Sequence, residues 1–520
     1  MKRTIAFSVA ALVAGFTFLA GRPAFADEAD CDTLDPAVVF NAGECQLSVG
    51  LTKSGIKSVG HTLHILAGGS ITVPLLAGGN SLTLNITGGL IMDAGTQITG
   101  DVTGTGAIGA TIIVDVTGNI HLNGGVTISS NQSASSCTTG KAGNVRLEAD
   151  GDITLDAGAV IRVNGSPCPA GEIILLAGVD ANGGNVSMDG LVESFSTMPG
   201  TTQANQRPGG GPITIEAGCD LTISDTGIVS SRGKDAGADL VHLAGSCAVK
   251  IFGLVESTAI PGQGVPHNPP NRCNNVTRPD KPTNSTACVE VWAGDSLTID
   301  SILPHAGEVN ADTGGMGGSG GTSWIDLFAR GPITINGDVS GNFAVHANGL
   351  AGTNDNGGDI TVKSKGGAVT MGGPPSARAL QANATGNGGK GGNVVVQAGG
   401  LATVGAVNFG SALVEALGAD AGGGGQQGGS ISSRSFNDMV LGSAPGALDT
   451  REGPTTPNGS ITFQACSGVA YTGTTDAASV TTLPAACGGQ PTFKPYVTLP
   501  NCKCVELCQP FPPGCICFPI

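Results

Sequence analysis

A chain of 520 residues, 40% of them hydrophobic, can bury a large core, but 86 glycines, 4% aromatic and 12% charged residues set it apart from an ordinary mixed domain. Glycine without a three-residue period excludes a collagen-like rod, and no long stretch carries the 3.6-residue apolar stripe of an amphipathic helix. A formal charge of −16 excludes nucleic acid and anionic membrane surfaces as natural partners, because both repel an acidic protein.

Lys2 and Arg3 precede an apolar run from Ile5 to Ala20, and Ala24-Phe25-Ala26 is a small-x-small cleavage site. Residues 1–26 therefore read as a Sec-type signal peptide, with cleavage after Ala26. Losing Lys2, Arg3 and Arg22 takes the charge from −16 to −19. No later segment approaches ~20 apolar residues, so no transmembrane segment is expected in the mature chain. The expected location is secreted or on the surface of a bacterial cell. Export makes disulfides the default state of the 15 cysteines, all in the mature part, and the odd count leaves one to pair between molecules or not at all.

Residues 27–60 read as an N-terminal cap stapled by Cys31 and Cys45, since a repeat array must cover the open end of its core. From His61 a coil recurs. Its plainest copy is Asn144 to Gly165, NVRLEADGDITLDAGAVIRVNG, where apolar residues alternate in three short bursts separated by Asp150-Gly151 and Ala157-Gly158. Period-2 alternation marks half-buried strands, and the separators are turn chemistry. A small residue closing the first strand aligns the copies at Ala67, Val116, Ala149, Ala177, Ala217, Ala244, Ala293, Ala329, Ser364, Ala398, Ser435 and Ala465. The residues two and four before it are almost always apolar, and a third strand repeats as GLVES at 190–194 and 253–257. Aligned inward positions predict an all-β solenoid of about twelve coils over residues 61–467, ~60 Å tall at the ~4.8 Å strand spacing.

Excess length collects between the third strand and the next first strand, in the glycine-rich insertions 312–322, 351–358, 386–392 and 418–429 and in the proline- and asparagine-rich 259–287. These predict a comb of loops along one edge. Cys219 and Cys247 fall in one column of adjacent coils if one corner holds an extra residue, which predicts a bridge between them. Cys273–Cys288, Cys137–Cys168 and Cys466–Cys487 are plausible loop staples. Residues 468–520 turn to threonine, proline and cysteine and end in NCKCVELCQPFPPGCICFPI, whose Cys502, Cys504, Cys508, Cys515 and Cys517 suit a disulfide-rich C-terminal cap better than a zinc site, lacking its C-x-x-C spacing.

Runs such as GNVRLEADGDITLDAGAVI and GGNVVVQAGGLATV resemble the repeats of filamentous-haemagglutinin-type surface proteins and the wider pectin-lyase-like superfamily. The resemblance covers roughly residues 61–467 and implies a right-handed parallel β-helix, exported and often adhesive, whose partner is a cell-surface or extracellular glycan or protein. It also points to the outward face of the first strand, where enzymes of the pectin-lyase-like fold site their catalysis. One residue before the marker stand Leu243, Trp292 and Phe328, and three before it Glu290 and Asp326. Stacked coils would hold the two acids ~5 Å apart, the separation of a retaining glycosidase pair, with the two aromatics as a sugar platform. The plainer reading is a solvated pair of surface acids, compensated by Arg272, Arg278 and Lys281 of the 259–287 loop. The GHG and RIK runs of pectin-degrading hydrolases have no counterpart. An adhesive or structural role is therefore the expectation, and a glycoside hydrolase or lyase using Glu290 and Asp326 is the alternative.

No cofactor is expected. Calcium is the one ion with nameable donors, in Asn354-Asp355-Asn356-Gly357-Gly358-Asp359, which lacks the distal glutamate of an EF-hand and reads more simply as a turn. His61 and His64 are too few for a metal site, and His242 is expected inward, as a core histidine.

Overall fold

Alternation of buried and exposed side chains, such as Val145 to Ala149 and Ile360 to Ser364, runs through the strands and places their apolar residues on one side. A computed structural model describes residues 31–483, except 76–78, 135, 138–139, 179–182, 198–208, 235–236, 261–284, 315–321, 340, 351–355, 385–388, 400–404, 420–426, 437, 453–455 and 458. The strands stack into three long parallel sheets around one apolar interior, so the chain is a parallel β-helix. Among the described residues the first sheet has 14 strands, from Gly55–Val59 to Ser479–Leu483; the second has 15, ending at Val469–Tyr471; the third has 19, ending at Thr474–Asp476. The 14 strands of the first sheet exceed the twelve coils expected. No helix among the described residues is long and apolar enough to cross a membrane.

Each corner has its own chemistry. Between the first and second sheets most turns are short, such as residues 117–119, 150–152, 218–220 and 246–248, while 178–185 and 399–406 are longer, and residues of successive turns form a side-chain ladder. Asn119 accepts from the Asp152 backbone N–H at 2.9 Å, Asp152 from Asn185 at 2.7 Å, Asn185 from Asp220 at 3.1 Å and Asp220 from Ala248 at 2.9 Å. Along the third sheet Asp312, Asn348 and Asn383 do the same for Asn348, Asn383 and Leu417 at 2.7, 2.9 and 2.8 Å. These bonds satisfy amides that the turns would otherwise orphan.

The corner from the third sheet back to the first is built from backbone and hydroxyls. Gly143, Gly171 and Gly211, then Gly358, Gly392, Gly429 and Gly459, each stand two residues before the first core residue of their strand. A Cβ on Gly171 or Gly211 would strike the carbonyl of the glycine one coil below, and Gly392 and Gly429 repeat this against Gly358 and Gly392. Inward serines tie the same carbonyls: Ser194 donates to Gly171 O at 2.8 Å and Ser231 to Gly211 O at 2.9 Å. The recurring Gly-Gly and Ala-Gly pairs of the sequence are thus close-approach sites.

The stack runs past both expected limits of residues 61–467. Glu44–Leu47 and Gly50–Thr52 already form its first coil, and Val469–Tyr471, Thr474–Asp476 and Ser479–Leu483 its last. Beneath the first coil, buried Leu34 and Val38, the Cys31–Cys45 disulfide and an antiparallel hairpin of Val39–Asn41 with Glu44–Leu47 close the N-terminal end. The register also moves two of the markers. Val59 and Ile86 occupy the column assigned to Ala67, and Gly245, not Ala244, pairs with Ala217 and Ala293. With Gly245 as marker, Cys247 sits two residues on, as Cys219 does from Ala217, and no extra corner residue is needed.

Candidate functional site

The outward face of the first sheet carries a ladder of ionisable groups. Thr214, His242, Glu290, Asp326 and Thr361 stack in one column, and Glu216, Ala244, Trp292, Phe328 and Lys363 in the next. His242 therefore points outward, contrary to expectation, because the shift at Gly245 exchanges the faces of its whole strand. Leu243 moves inward into the core for the same reason, and Ala244 takes the place expected for it beside Trp292. Glu290 and Asp326 are side by side in register, as the sequence predicted, and Trp292 and Phe328 lie two residues further along the same strands with ring centroids 4.6 Å apart and planes tilted by 40°. Lys363 Nζ lies 5.9 Å from the Phe328 ring centre.

Although outward, this ladder is sealed. Glu290 and Asp326 are each 1% exposed, His242 4% and Glu216 8%. His242 Nδ1 lies 3.0 Å from Glu290 Oε2, and its Nε2 faces Glu216 Oε1 at 3.9 Å. Burial raises the Glu216 carboxyl above its usual value, against the pull of His242 and Arg146. Both Glu290 and Asp326 have further partners. Arg272, Arg278 and Lys281, expected to compensate them, lie outside the described residues.

The histidine between two acids recurs. His64, on the second sheet, bridges Glu44 at 3.0 Å and Asp93 at 3.1 Å. His346, on the third, holds Asp312 Oδ2 at 3.0 Å and Glu308 Oε1 at 2.9 Å. Burial alone would lower the His346 pKa, but the two carboxylates overcome it and hold it at about 10. Glu308 shows the counterpart: burial pushes its carboxyl up, and His346 with Asn342 and Asn310 brings it below the usual value. Like charges stacked in a parallel ladder repel, and an imidazolium between coils removes that repulsion.

His346 belongs to an outward column of the third sheet that runs Arg162, Glu193, Ser230, Glu256, Asn310, His346, Gln381, Glu415, Asp449. Arg232 reaches from the adjacent column to Glu193 at 2.5 Å, and Arg162 lies 3.2 Å from the same carboxylate. Sequence reasoning did not assemble this column. Its signal was the GLVES repeat, whose Glu193 and Glu256 share the column, as does Glu415 of the related Leu413-Val414-Glu415.

For metals the geometry is unfavourable. Among the described residues Cys219, Asp220 and Cys247 are the one group with three ligand atoms within 4.8 Å of one another. The sulfurs are 2.8 Å apart, closer than two thiolates bound to one zinc at ~2.3 Å each, and that spacing favours the bridge expected from the sequence. Cys137 and Cys168 are bonded. Cys288 is buried against Trp324, while Cys273, Cys487 and the cysteines of the last segment lie outside the described residues. Of the calcium loop, residues 354–355 lie outside the described set; Asn356 Oδ1 accepts from Lys390 N at 2.9 Å and Asp359 Oδ1 from Asn393 Nδ2 at 2.8 Å, so these donors already serve the stack.

Fold and site together define a class: an all-β parallel β-helix solenoid, closed at its N-terminal end, with cross-coil acid–histidine–acid bridges on all three faces. No protein-family profile, no curated protein and no solved structure matches the chain.

Proposed function

We propose that this is an exported structural or adhesive β-helix that meets its partner, a surface glycan or protein, through the loop edge between the third and first sheets. One observation carries the reading. The corners from first to second sheet hold two to four residues except for 178–185 and 399–406, whereas those from third to first reach residues 197–212 and 261–284, so the longest insertions collect on one edge of the stack. Loops on a fixed scaffold are where recognition concentrates. The likeness to filamentous-haemagglutinin-type repeats favours the same reading, and the leader of residues 1–26 supports export. Shortening within residues 351–355 and 386–389, short of Asn356 and the corner glycines Gly358 and Gly392, is expected to cut adhesion to whole cells or immobilised glycans at least ~10-fold while the β-rich circular dichroism spectrum stays unchanged. Undiminished adhesion by a correctly folded loop variant would remove the proposal.

The second reading, a polysaccharide-active enzyme, is favoured by the registered Glu290–Asp326 pair with Trp292 and Phe328 beside it. Exposure of 1% at both acids weighs against it, because a glycosidic bond must enter between the carboxylates. In a glycan hydrolysis screen the wild-type chain, E290Q and D326N are all expected to show no turnover; turnover that either substitution abolishes would establish the enzyme instead.

A further inference from the structure

In the lower coils, at the corner from the third sheet to the first, several polar side chains are not spent on the stack. Ser81 pairs in register with Thr111, and Asn144 stands in the same outward column, one residue before Val145, the partner of Ile112. Higher in this column the side chains bond to one another: Ser430 Oγ donates to Asn393 Oδ1 at 2.7 Å, and Asn393 Nδ2 to Asp359 Oδ1 at 2.8 Å. Lower down they do not. Asn144 Oδ1 accepts from the Glu172 backbone N–H at 3.1 Å, but Asn144 Nδ2, Ser81 Oγ, Thr111 Oγ1 and Lys141 Nζ have no hydrogen-bond or ion-pair partner among the described residues. These four residues line one cleft of about 430 Å³, within the ~300–1,000 Å³ of small-ligand sites.

The walls are fixed before any ligand arrives. Ile108 and Lys141 form a parallel bridge, with Gly109 N donating to Lys141 O at 2.9 Å and Lys141 N to Ala107 O at 3.2 Å. The Cys137–Cys168 disulfide ties the same insertion to the next coil. Ile108 lies against Gly79, where a Cβ would come within 3.3 Å of its Cγ2, and supplies the apolar wall. Glu172 takes the next position of the column; burial raises its carboxyl against the pull of Arg146 and Lys141, and Arg146 is itself bound to Glu148 at 2.6 Å. A ligand carboxylate would therefore face Glu172 as well as Lys141, on a chain of net charge −16. The strand Thr111–Val116 is paired on both sides within the stack, so it offers no backbone edge to a peptide strand.

We propose that this cleft binds an uncharged saccharide, whose hydroxyls meet Ser81, Thr111, Asn144 and Lys141 while its C–H face lies on Ile108. The proposal rests on the reading of this edge as the contact surface, and names a glycan as the partner taken there. Rungs ~4.8 Å apart let one pyranose ring span two side chains of the column.

Calorimetric titration of the full mature chain tests it, with uncharged oligosaccharides of glucose, galactose, mannose and N-acetylglucosamine beside an oligogalacturonate. At least one uncharged sugar of the panel is expected to bind. Thr111→Val with Ser81→Ala removes both hydroxyls and keeps the strand, and should weaken binding about tenfold or more. Asn144→Asp keeps the acceptor for the Glu172 N–H but loses the Nδ2 donor, so it should weaken binding with the melting temperature unchanged. Thr334→Val, which removes an outward hydroxyl on the second sheet, should leave binding as it is. No binding by any uncharged sugar of the panel, binding by the oligogalacturonate alone, or an affinity indifferent to both the double variant and Asn144→Asp would each overturn the proposal. Shortening residues 351–355 and 386–389 leaves the cleft whole. Adhesion lost with those loops while no sugar binds would remove the cleft alone, and a bound sugar with undiminished adhesion would remove the loop reading alone.

Discussion

Gly171→Ala is expected to destabilise the solenoid by about 3 kcal/mol, the upper end of what overpacking costs, because nothing near the new methyl can swing away. The added Cβ would meet the carbonyl oxygen and carbon of Gly143 one coil below and the Val163 Cβ at 3.2 Å. Two of those atoms are backbone held by neighbouring coils, so relief requires parting the stack. Stability in a repeat array is a sum of unit and interface contributions, so the loss should appear at one interface. Chemical denaturation should then split into two transitions, with hydrogen-exchange protection falling in the strands Val145–Ala149, Ile173–Ala177 and Ile213–Ala217. Gly95→Ala is the control: its φ of +81° makes a side chain unfavourable, but a Cβ there meets nothing within 4 Å. That change should cost only about 1 kcal/mol. Equal effects of the two substitutions would show that close backbone approach does not set the corner.

The second large effect concerns pH. His346 is buried with its pKa raised from 6.5 to about 10, so the folded state holds a proton that the unfolded chain releases above its ordinary value. Its contribution is fully present below about pH 6.5 and is lost as pH rises towards 10. Over that window the wild-type chain should lose up to about 1.4 kcal/mol per pH unit from this one proton. Glu308 acts at the other end: its lowered carboxyl stabilises the fold above the ordinary 4.5, and that contribution disappears as acid protonates it. His346→Gln should lower the melting temperature at pH 7, since Asp312 and Glu308 lose their shared cation, and should flatten the decline between pH 7 and 10. Parallel melting-temperature curves for the two proteins across that range would show that the bridge is not the titrating element.

Much of this architecture is legible in the sequence, and the errors have identifiable causes. The inward pairs Ile213/Ile215, Ile325/Leu327 and Val394/Val396 are buried in registered strands because period-2 alternation is a direct consequence of the pleat. Two small residues, Ala244 and Gly245, adjoin where this strand closes, and the sequence does not separate them as the marker. One step of error in a two-residue period turned His242 inward and Leu243 outward, and so hid the bridge from Glu216 to Glu290. The first coil is not legible in the sequence because Gly55 and Lys57 occupy columns held higher up by Leu82 and Leu84, and an end coil need not be apolar. Burial of Glu290 and Asp326 was not legible at all. Outward positions on a strand default to solvent, and only the folded chain shows that these do not reach it.

The glycine corner bears on how such a molecule changes length over generations. Each rung reads only the rung beneath it, so excising one entire winding would leave the remaining contacts congruent, like a spring shortened by a full turn. Removing half a winding would bring side-chain carbon against carbonyl at the rung that closes over the cut. Lineages of this chain should therefore differ by whole turns in the body of the rod and by arbitrary lengths along its comb.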